Sequence, residues 1–113
     1  MITILHNGRC SKSRGALEIL QEEQIPHQVR WYLQEPLDAK ELKALLRKLR
    51  MAAAELVRKS EPYFKEHLAG RSLSEEEWIT ELVEHPELME RPIVVNGRKA
   101  VVARPPERLH EIL

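Results

Sequence analysis

The chain has 113 residues, 42% of them hydrophobic and 32% charged, the size and make-up of one domain that buries its own core. Its 18 Lys and Arg balance 18 Asp and Glu, and a formal charge of +0 argues against a protein whose main role is coating nucleic acid or an anionic membrane. Cys10 is the only cysteine, which rules out an internal disulfide and a cysteine-built zinc site and points to a reducing compartment, the cytoplasm.

The start, Met1 to Leu5, is apolar for only five residues and has no basic leader, so no signal peptide is expected. No apolar run approaches the ~18 residues needed to cross a bilayer. Residues 2–5 are β-branched and aliphatic and read as a short buried strand. His6 to Cys10 follows as a loop with a turn signal at Asn7-Gly8. Ser11 to about Glu23 reads as a helix, with Ala16, Leu17 and Leu20 at helical spacing, and Ile25-Pro26 ends it. Val29, Trp31 and Leu33 alternate, which predicts a second strand over His27 to Leu33. Strand, helix and strand make a βαβ unit with parallel strands and a right-handed crossover.

Asp38-x-x-Glu41 is a capping-box pattern opening a helix to about Leu49, with Leu42, Leu45, Leu46 and Leu49 as its apolar stripe. Shorter helical pieces are expected around Ala52–Val57 and Glu61–Leu68. Ser74-x-x-Glu77 is a second capping box, with Trp78, Ile79, Leu82 and Val83 behind it; His85-Pro86 stops that helix, and a turn covers Glu87–Glu90. Two β-branched runs flank Asn96-Gly97, a strong hairpin signal, and Pro105-Pro106 leads into a terminal helix over Glu107–Leu113. The order is therefore βαβ, a helical insertion at about 37–90, then ββα: one α/β domain over residues 1–113.

Cys10 falls between a strand and a helix start, where free N–H groups and the helix dipole favour an anion. A thiol with the ordinary pKa of about 8.5 is only about 3% thiolate at pH 7. Raising that to about three quarters asks for roughly 2.7 kcal/mol, and a helix terminus supplies about 2 at most. Arg9, Lys12, Arg14 and His6 are the neighbours able to supply the rest. A lone cysteine often behaves as a small buried hydrophobe. Flanks of Arg9, Ser11, Lys12, Ser13 and Arg14 argue instead for a reactive thiol.

Pro92 begins a strand, which suits a residue that donates no ladder bond; the residues leave open a cis bond or a trans proline ending the preceding helix. Arg58, Arg91 and Arg104 stand at element boundaries, and a guanidinium fork suits tetrahedral oxyanions. With 11 Arg in the chain, any one of them is by itself more simply read as a solvated surface charge or a partner for Glu55, Glu61 or Glu90. The 5 His show no metal-ligand spacing, and no nucleotide-binding glycine loop occurs.

Taken together, His6-Asn7-x-x-Cys10-x-x-Ser13-Arg14 resembles the active-site loop of the glutaredoxin-coupled arsenate reductases, the ArsC family with its Spx and YffB relatives. Leu56-Val57-Arg58-Lys59 with Glu61-Pro62-Tyr63, then His85-Pro86 and Glu90-Arg91-Pro92-Ile93-Val94-Val95, then Arg104-Pro105, recur in that family's order, so the resemblance runs from about residue 2 to 113. It implies a thioredoxin-like fold with a four-stranded mixed sheet, and arsenate attacked by Cys10 and held by Arg58, Arg91 and Arg104. It further implies that His6 helps lower the thiol pKa, that Ser13 and Arg14 orient the loop and substrate, and that Pro92 is the fold's cis-proline. No bound cofactor or metal is implied: glutathione is a co-substrate and glutaredoxin a partner, with no role for nucleic acid or membrane. Gly8-Arg9 departs from the family's Pro-Ala, and Ser13 stands where redox-switch relatives carry a second cysteine, so Cys10 must be resolved by an outside thiol. Two other functions use the same residues: a different glutathione-dependent thiol reductase, and a non-catalytic protein-binding adaptor of the Spx type.

Overall fold

Ile2–Leu5 forms β1, Ser11–Glu22 forms α1, and His27–Arg30 forms β2, which pairs with β1 in parallel from Ile2 beside His27 to Leu5 beside Arg30. β3 (Ile93–Asn96) and β4 (Lys99–Val102) make the hairpin, with Gly97 at φ +61 in its turn, a left-handed conformation that glycine adopts without a steric penalty. β3 also runs antiparallel to β1, so the sheet is four-stranded and mixed, in the order β2-β1-β3-β4. The computed structural model describes residues 1–113. Two units can be distinguished: Met1–Glu35 with Arg91–Leu113, and Pro36–Glu90. No helix is long and apolar enough to cross a membrane.

In the first unit, Ile2 and Ile4 of β1, Val94 of β3 and Val101 of β4 join Ala16 and Leu20 of α1 and Leu109 and Ile112 of the last helix in one buried cluster. That last helix is 3-10, over Pro106–Ile112. A β-carbon at Gly15 would stand 3.1 Å from Pro106, so glycine lets α1 approach the terminal helix closely.

In the second unit, α2 (Ala39–Leu49) and α3 (Glu75–Glu84) begin with the two expected capping boxes. Asp38 accepts from the Glu41 N–H at 2.7 Å, and Ser74 accepts from the Glu77 N–H at 3.2 Å. Of the predicted stripes, Leu42, Leu45, Leu46, Ile79 and Leu82 are buried, while Leu49, Trp78 and Val83 are half-buried. The Glu75 carboxylate accepts the Ala53 N–H, which opens a 3-10 turn over Ala53–Leu56. Phe64–Leu68 is a π-helical turn, and Pro86–Leu88 a 3-10 turn in place of one over Glu87–Glu90.

β2 departs most from expectation. It ends at Arg30, not Leu33, because its partner β1 has only four residues to offer. Past Arg30 the chain turns, with the N–H groups of Gln34 and Glu35 both donating to the Trp31 carbonyl. Tyr32 is buried while Trp31 and Leu33 are exposed, the reverse of what the alternation suggested.

Candidate active site

The first unit assembles a thiol loop at the C-terminal end of β1. The Cys10 N–H donates to the Asn7 carbonyl at 3.0 Å, and the Arg9 N–H donates to Asn7 Oδ1 at 3.0 Å. The loop is thus a turn closed by one asparagine through both backbone and side chain. Cys10 is the N-cap of α1 in extended conformation, and its side chain makes no cap bond to the second or third helical N–H of the usual oxygen type. The N–H groups of Ser13 and Lys12, at the open start of the helix, nonetheless favour the ionised sulfur and lower the thiol pKa.

Behind the loop, Ser13 is fully buried. Its Oγ accepts the Asn7 N–H at 3.0 Å and shares a hydrogen bond of 2.6 Å with His6 Nδ1. The His6 ring meets Trp31 edge-on at 4.8 Å. Burial, with the charge of Arg14 second, holds the His6 pKa below the usual histidine range, so the ring is neutral at pH 7. The resemblance gave His6 a part in lowering the thiol pKa. A neutral ring bonded to Ser13 brings no positive charge to bear on the sulfur, and His6 is not among the groups that shift the thiol. Arg14 donates from Nη1 to the Gly8 carbonyl at 3.0 Å and fastens the same loop from outside.

Two distant arginines reach this loop through the strand register. Leu5 at the end of β1 lies beside Ile93 at the start of β3, and Ile93 lies beside Val102 at the end of β4. The residues just before β3 and just after β4 therefore sit at the end of the sheet where the loop leaves β1. Arg104 Nη1 stands 3.9 Å from Cys10 Sγ and donates to the Arg91 carbonyl at 2.9 Å. The Arg91 guanidinium hydrogen-bonds the sulfur as well. Between them, the Arg91–Pro92 peptide bond is cis, and so is Arg104–Pro105.

Cys10 is half-buried. Burial is the largest single influence and pushes the thiol up. The Ser13 and Lys12 N–H groups and the hydrogen bond and charge of Arg91 outweigh it, and the thiol ionises below its ordinary value. Arg58 belongs to the second unit, where its N–H donates to the Leu88 carbonyl and its Nε to Ser60 Oγ at 3.1 Å. No three His, Cys, Asp or Glu side chains are grouped as metal ligands.

A sequence model of the ArsC family matches residues 5–112, nearly the whole chain. The chain belongs to the ArsC family. It is 49% identical to the uncharacterized protein YfgD of Escherichia coli K12, over 99% of this chain and 96% of that one. It is 41% identical to an arsenate reductase of Neisseria meningitidis serogroup A, over 99% of this chain and 97% of the relative. Among solved structures, an arsenate reductase from Vibrio cholerae superposes with a TM-score of 0.94 at 40% identity, covering 99% of this chain and 97% of that one. The fold is accordingly the thioredoxin-like α/β fold of ArsC proteins.

The residue that sequence reading passed over in this ArsC chain is Asn7. Asn7-Gly8 was legible as a turn, but the turn signal does not say that one side chain and one carbonyl would brace the thiol from the N-terminal side. Ser13 was singled out from the motif, while its two partners became visible only in three dimensions. Ser13→Ala leaves the Asn7 N–H and His6 Nδ1 without their oxygen. It is expected to lower unfolding stability by about 1–3 kcal/mol in urea titration. A change within about 0.5 kcal/mol, the usual range for surface substitutions, would mean the loop is held by other contacts.

Proposed function

We propose that this chain is an oxidoreductase that reduces arsenate to arsenite through the Cys10 thiolate, with glutathione and glutaredoxin as reductants. The observation that carries the reading is the half-buried sulfur of Cys10, with a lowered pKa, in reach of the guanidinium groups of Arg91 and Arg104. A thiolate is a nucleophile, and guanidinium forks neutralise the oxygens of a tetrahedral oxyanion while it is attacked. The arsenate reductases at about 40% identity support the same substrate.

In the proposed sequence Cys10 attacks arsenic, an As–O bond breaks, and the oxygen leaves as water after protonation. Arg91 and Arg104 hold the remaining oxygens, and the positive end of the α1 dipole assists. Arg58 is the third oxyanion ligand on the family motif alone, and Arg14 and Ser13 keep the loop in register. Glutathione then attacks the Cys10 sulfur. The S–As electron pair stays on arsenic, which falls from As(V) to As(III), and arsenite leaves. Cys10 is left in a mixed disulfide with glutathione, and glutaredoxin removes that glutathione to restore the thiolate. The sum is one arsenate and two thiols giving one arsenite, one disulfide and one water. The reaction belongs in a reducing compartment, and we place it in the cytoplasm.

The test is steady-state arsenate reduction by the wild-type chain with glutathione and glutaredoxin. Turnover that saturates in arsenate is the expected result. A folded wild type with no turnover at any arsenate concentration overturns the reading.

A further inference from the structure

Arg9 and Lys12 flank the sulfur, one residue before it and two after, and both are exposed. Neither side-chain charge is among the influences that lower the Cys10 thiol pKa. Lys12 contributes its backbone N–H to the sulfur, and Arg9 its backbone N–H to Asn7. Their charges are locally unbalanced. The first carboxylate in the chain is Glu18, and the first turn of α1 carries no acid. α2 and α3 carry Glu41 and Glu75, Glu76 and Glu77 in that position, as a helix dipole favours. Lys12 instead puts a cation against the positive end of its own helix, which a purely structural residue has no reason to do. Because the whole chain has a formal charge of +0, this is a local feature and not a basic protein's background.

Arg91 and Arg104 are half-buried beside the sulfur, whereas Arg9 and Lys12 are exposed at the rim of the loop. The two pairs therefore meet different things. The inner pair faces whatever is bonded to Cys10; the rim faces whatever approaches it from solvent. Arg9 adjoins Cys10 in the chain and Lys12 lies two residues beyond it, and a charge within the Debye length of about 8 Å at physiological salt keeps much of its field.

We propose that Arg9 and Lys12 are specificity-determining residues for the second substrate, selecting a small thiol that carries carboxylates over neutral and cationic thiols. The assignment rests on the reading of Cys10 as a nucleophile released by an outside thiol. In the step concerned, the incoming thiolate sulfur bonds to the Cys10 sulfur, and the pair that held Cys10 to its adduct departs with the adduct. The rim draws the thiol's carboxylates to the mouth of the loop and aligns its sulfur with the Cys10 bond, and it takes no part in the bond changes. Coulomb attraction of this reach in water corresponds to a preference of about fivefold for a dianion over a neutral reagent.

The experiment measures Cys10 disulfide exchange with three probes: 5,5′-dithiobis(2-nitrobenzoate), a dianion; 2,2′-dithiodipyridine, neutral; and cystamine, a dication. In each, the Cys10 thiolate forms one S–S bond and the probe's S–S bond breaks, releasing one probe thiolate. The Arg9→Gln, Lys12→Gln double variant is expected to lower the dianion-to-neutral rate ratio about fivefold and to raise the dication rate. Salt at ~1 M, where the Debye length is about 3 Å, should erase the wild-type preference. Arg98→Gln, the same loss of charge at the exposed hairpin tip, should leave all three rates unchanged.

In turnover, the double variant should raise the KM for glutathione about fivefold and leave the KM for arsenate unchanged. An unchanged rate ratio in the double variant overturns the proposal. So does a rise in arsenate KM with glutathione KM constant, which would assign the rim to the oxyanion. So does a defect seen only with a protein reductant, which would assign the rim to an acidic protein face. The probe rates need no arsenate chemistry. A wild type that shows the charge preference without arsenate turnover therefore refutes the arsenate reading alone, and turnover without the preference refutes the rim alone.

Discussion

Cys10→Ser is expected to abolish arsenate reduction, lowering turnover at least about 10³-fold, since removing a covalent nucleophile costs up to about 10⁶-fold in well-studied enzymes. The hydroxyl that replaces the thiol is not ionised near neutral pH, so the Ser13 and Lys12 N–H groups and the Arg91 guanidinium have no anion to stabilise. The substitution also separates chemistry from folding. Cys10 occupies the N-cap of α1, a position that serine fills better than most residues, and the Lys12 and Ser13 N–H groups already point there. The variant is therefore expected to unfold at the same or slightly higher denaturant concentration than wild type. An inactive variant of undiminished stability assigns the loss to the nucleophile. Activity within tenfold of wild type would remove Cys10 from the mechanism.

Arg91→Ala is expected to raise the Cys10 thiol pKa and to lower kcat/KM for arsenate by about 10²–10³-fold, the range for loss of a charged donor aimed at a developing oxyanion. Arg91 is the side chain that both hydrogen-bonds the sulfur and holds it down by its charge. The rate of iodoacetamide alkylation followed against pH reads the thiol directly. The wild-type half-point lies below the ordinary thiol value, and that of Arg91→Ala moves up toward or past it, because burial still raises the thiol with one opposing group gone.

The same shift has a consequence for stability. The folded thiol ionises below its unfolded value, so its ionisation adds stability that is complete above the unfolded pKa and is lost as pH falls through the folded pKa. Arg91→Ala shrinks that gain. Arg91→Lys keeps a charge but not the planar fork, and should recover more of the thiol shift than of the arsenate rate. Arg104→Ala should move the thiol less, its Nη1 standing 3.9 Å from the sulfur, while releasing the Arg91 carbonyl it holds at 2.9 Å. An alkylation profile identical in wild type and Arg91→Ala would show that Arg91 does not act on the sulfur.

Local order in this protein is written locally. The two capping boxes at Asp38 and Ser74 start helices because each side chain and its partner three residues on satisfy N–H groups the helix leaves open, and no distant contact is needed. The Asn96-Gly97 hairpin and the short strand over residues 2–5 are likewise set by turn chemistry and β-branching. The position of Cys10 between β1 and α1, where an anion is favoured, follows from those same short-range signals. Where a signal depends on a partner, the sequence misleads: Val29, Trp31 and Leu33 alternate as a strand should, yet β2 stops at Arg30 where β1 ends.

The chemistry of the site lies on the other side of that division. Arg104 is 94 residues from Cys10, and nothing near it in the chain distinguishes it from the other arginines by composition or spacing. Its place beside the sulfur is decided by the register of β1 with β3 and of β3 with β4, which returns both ends of the hairpin to the end of the sheet where the thiol loop begins. The burial of Ser13 and its pairing with His6 and Asn7 arise the same way. Periodicity and caps report which hydrogen bonds a segment makes with itself. Which charges gather around one sulfur depends on long-range strand pairing, and only the tertiary structure decides that.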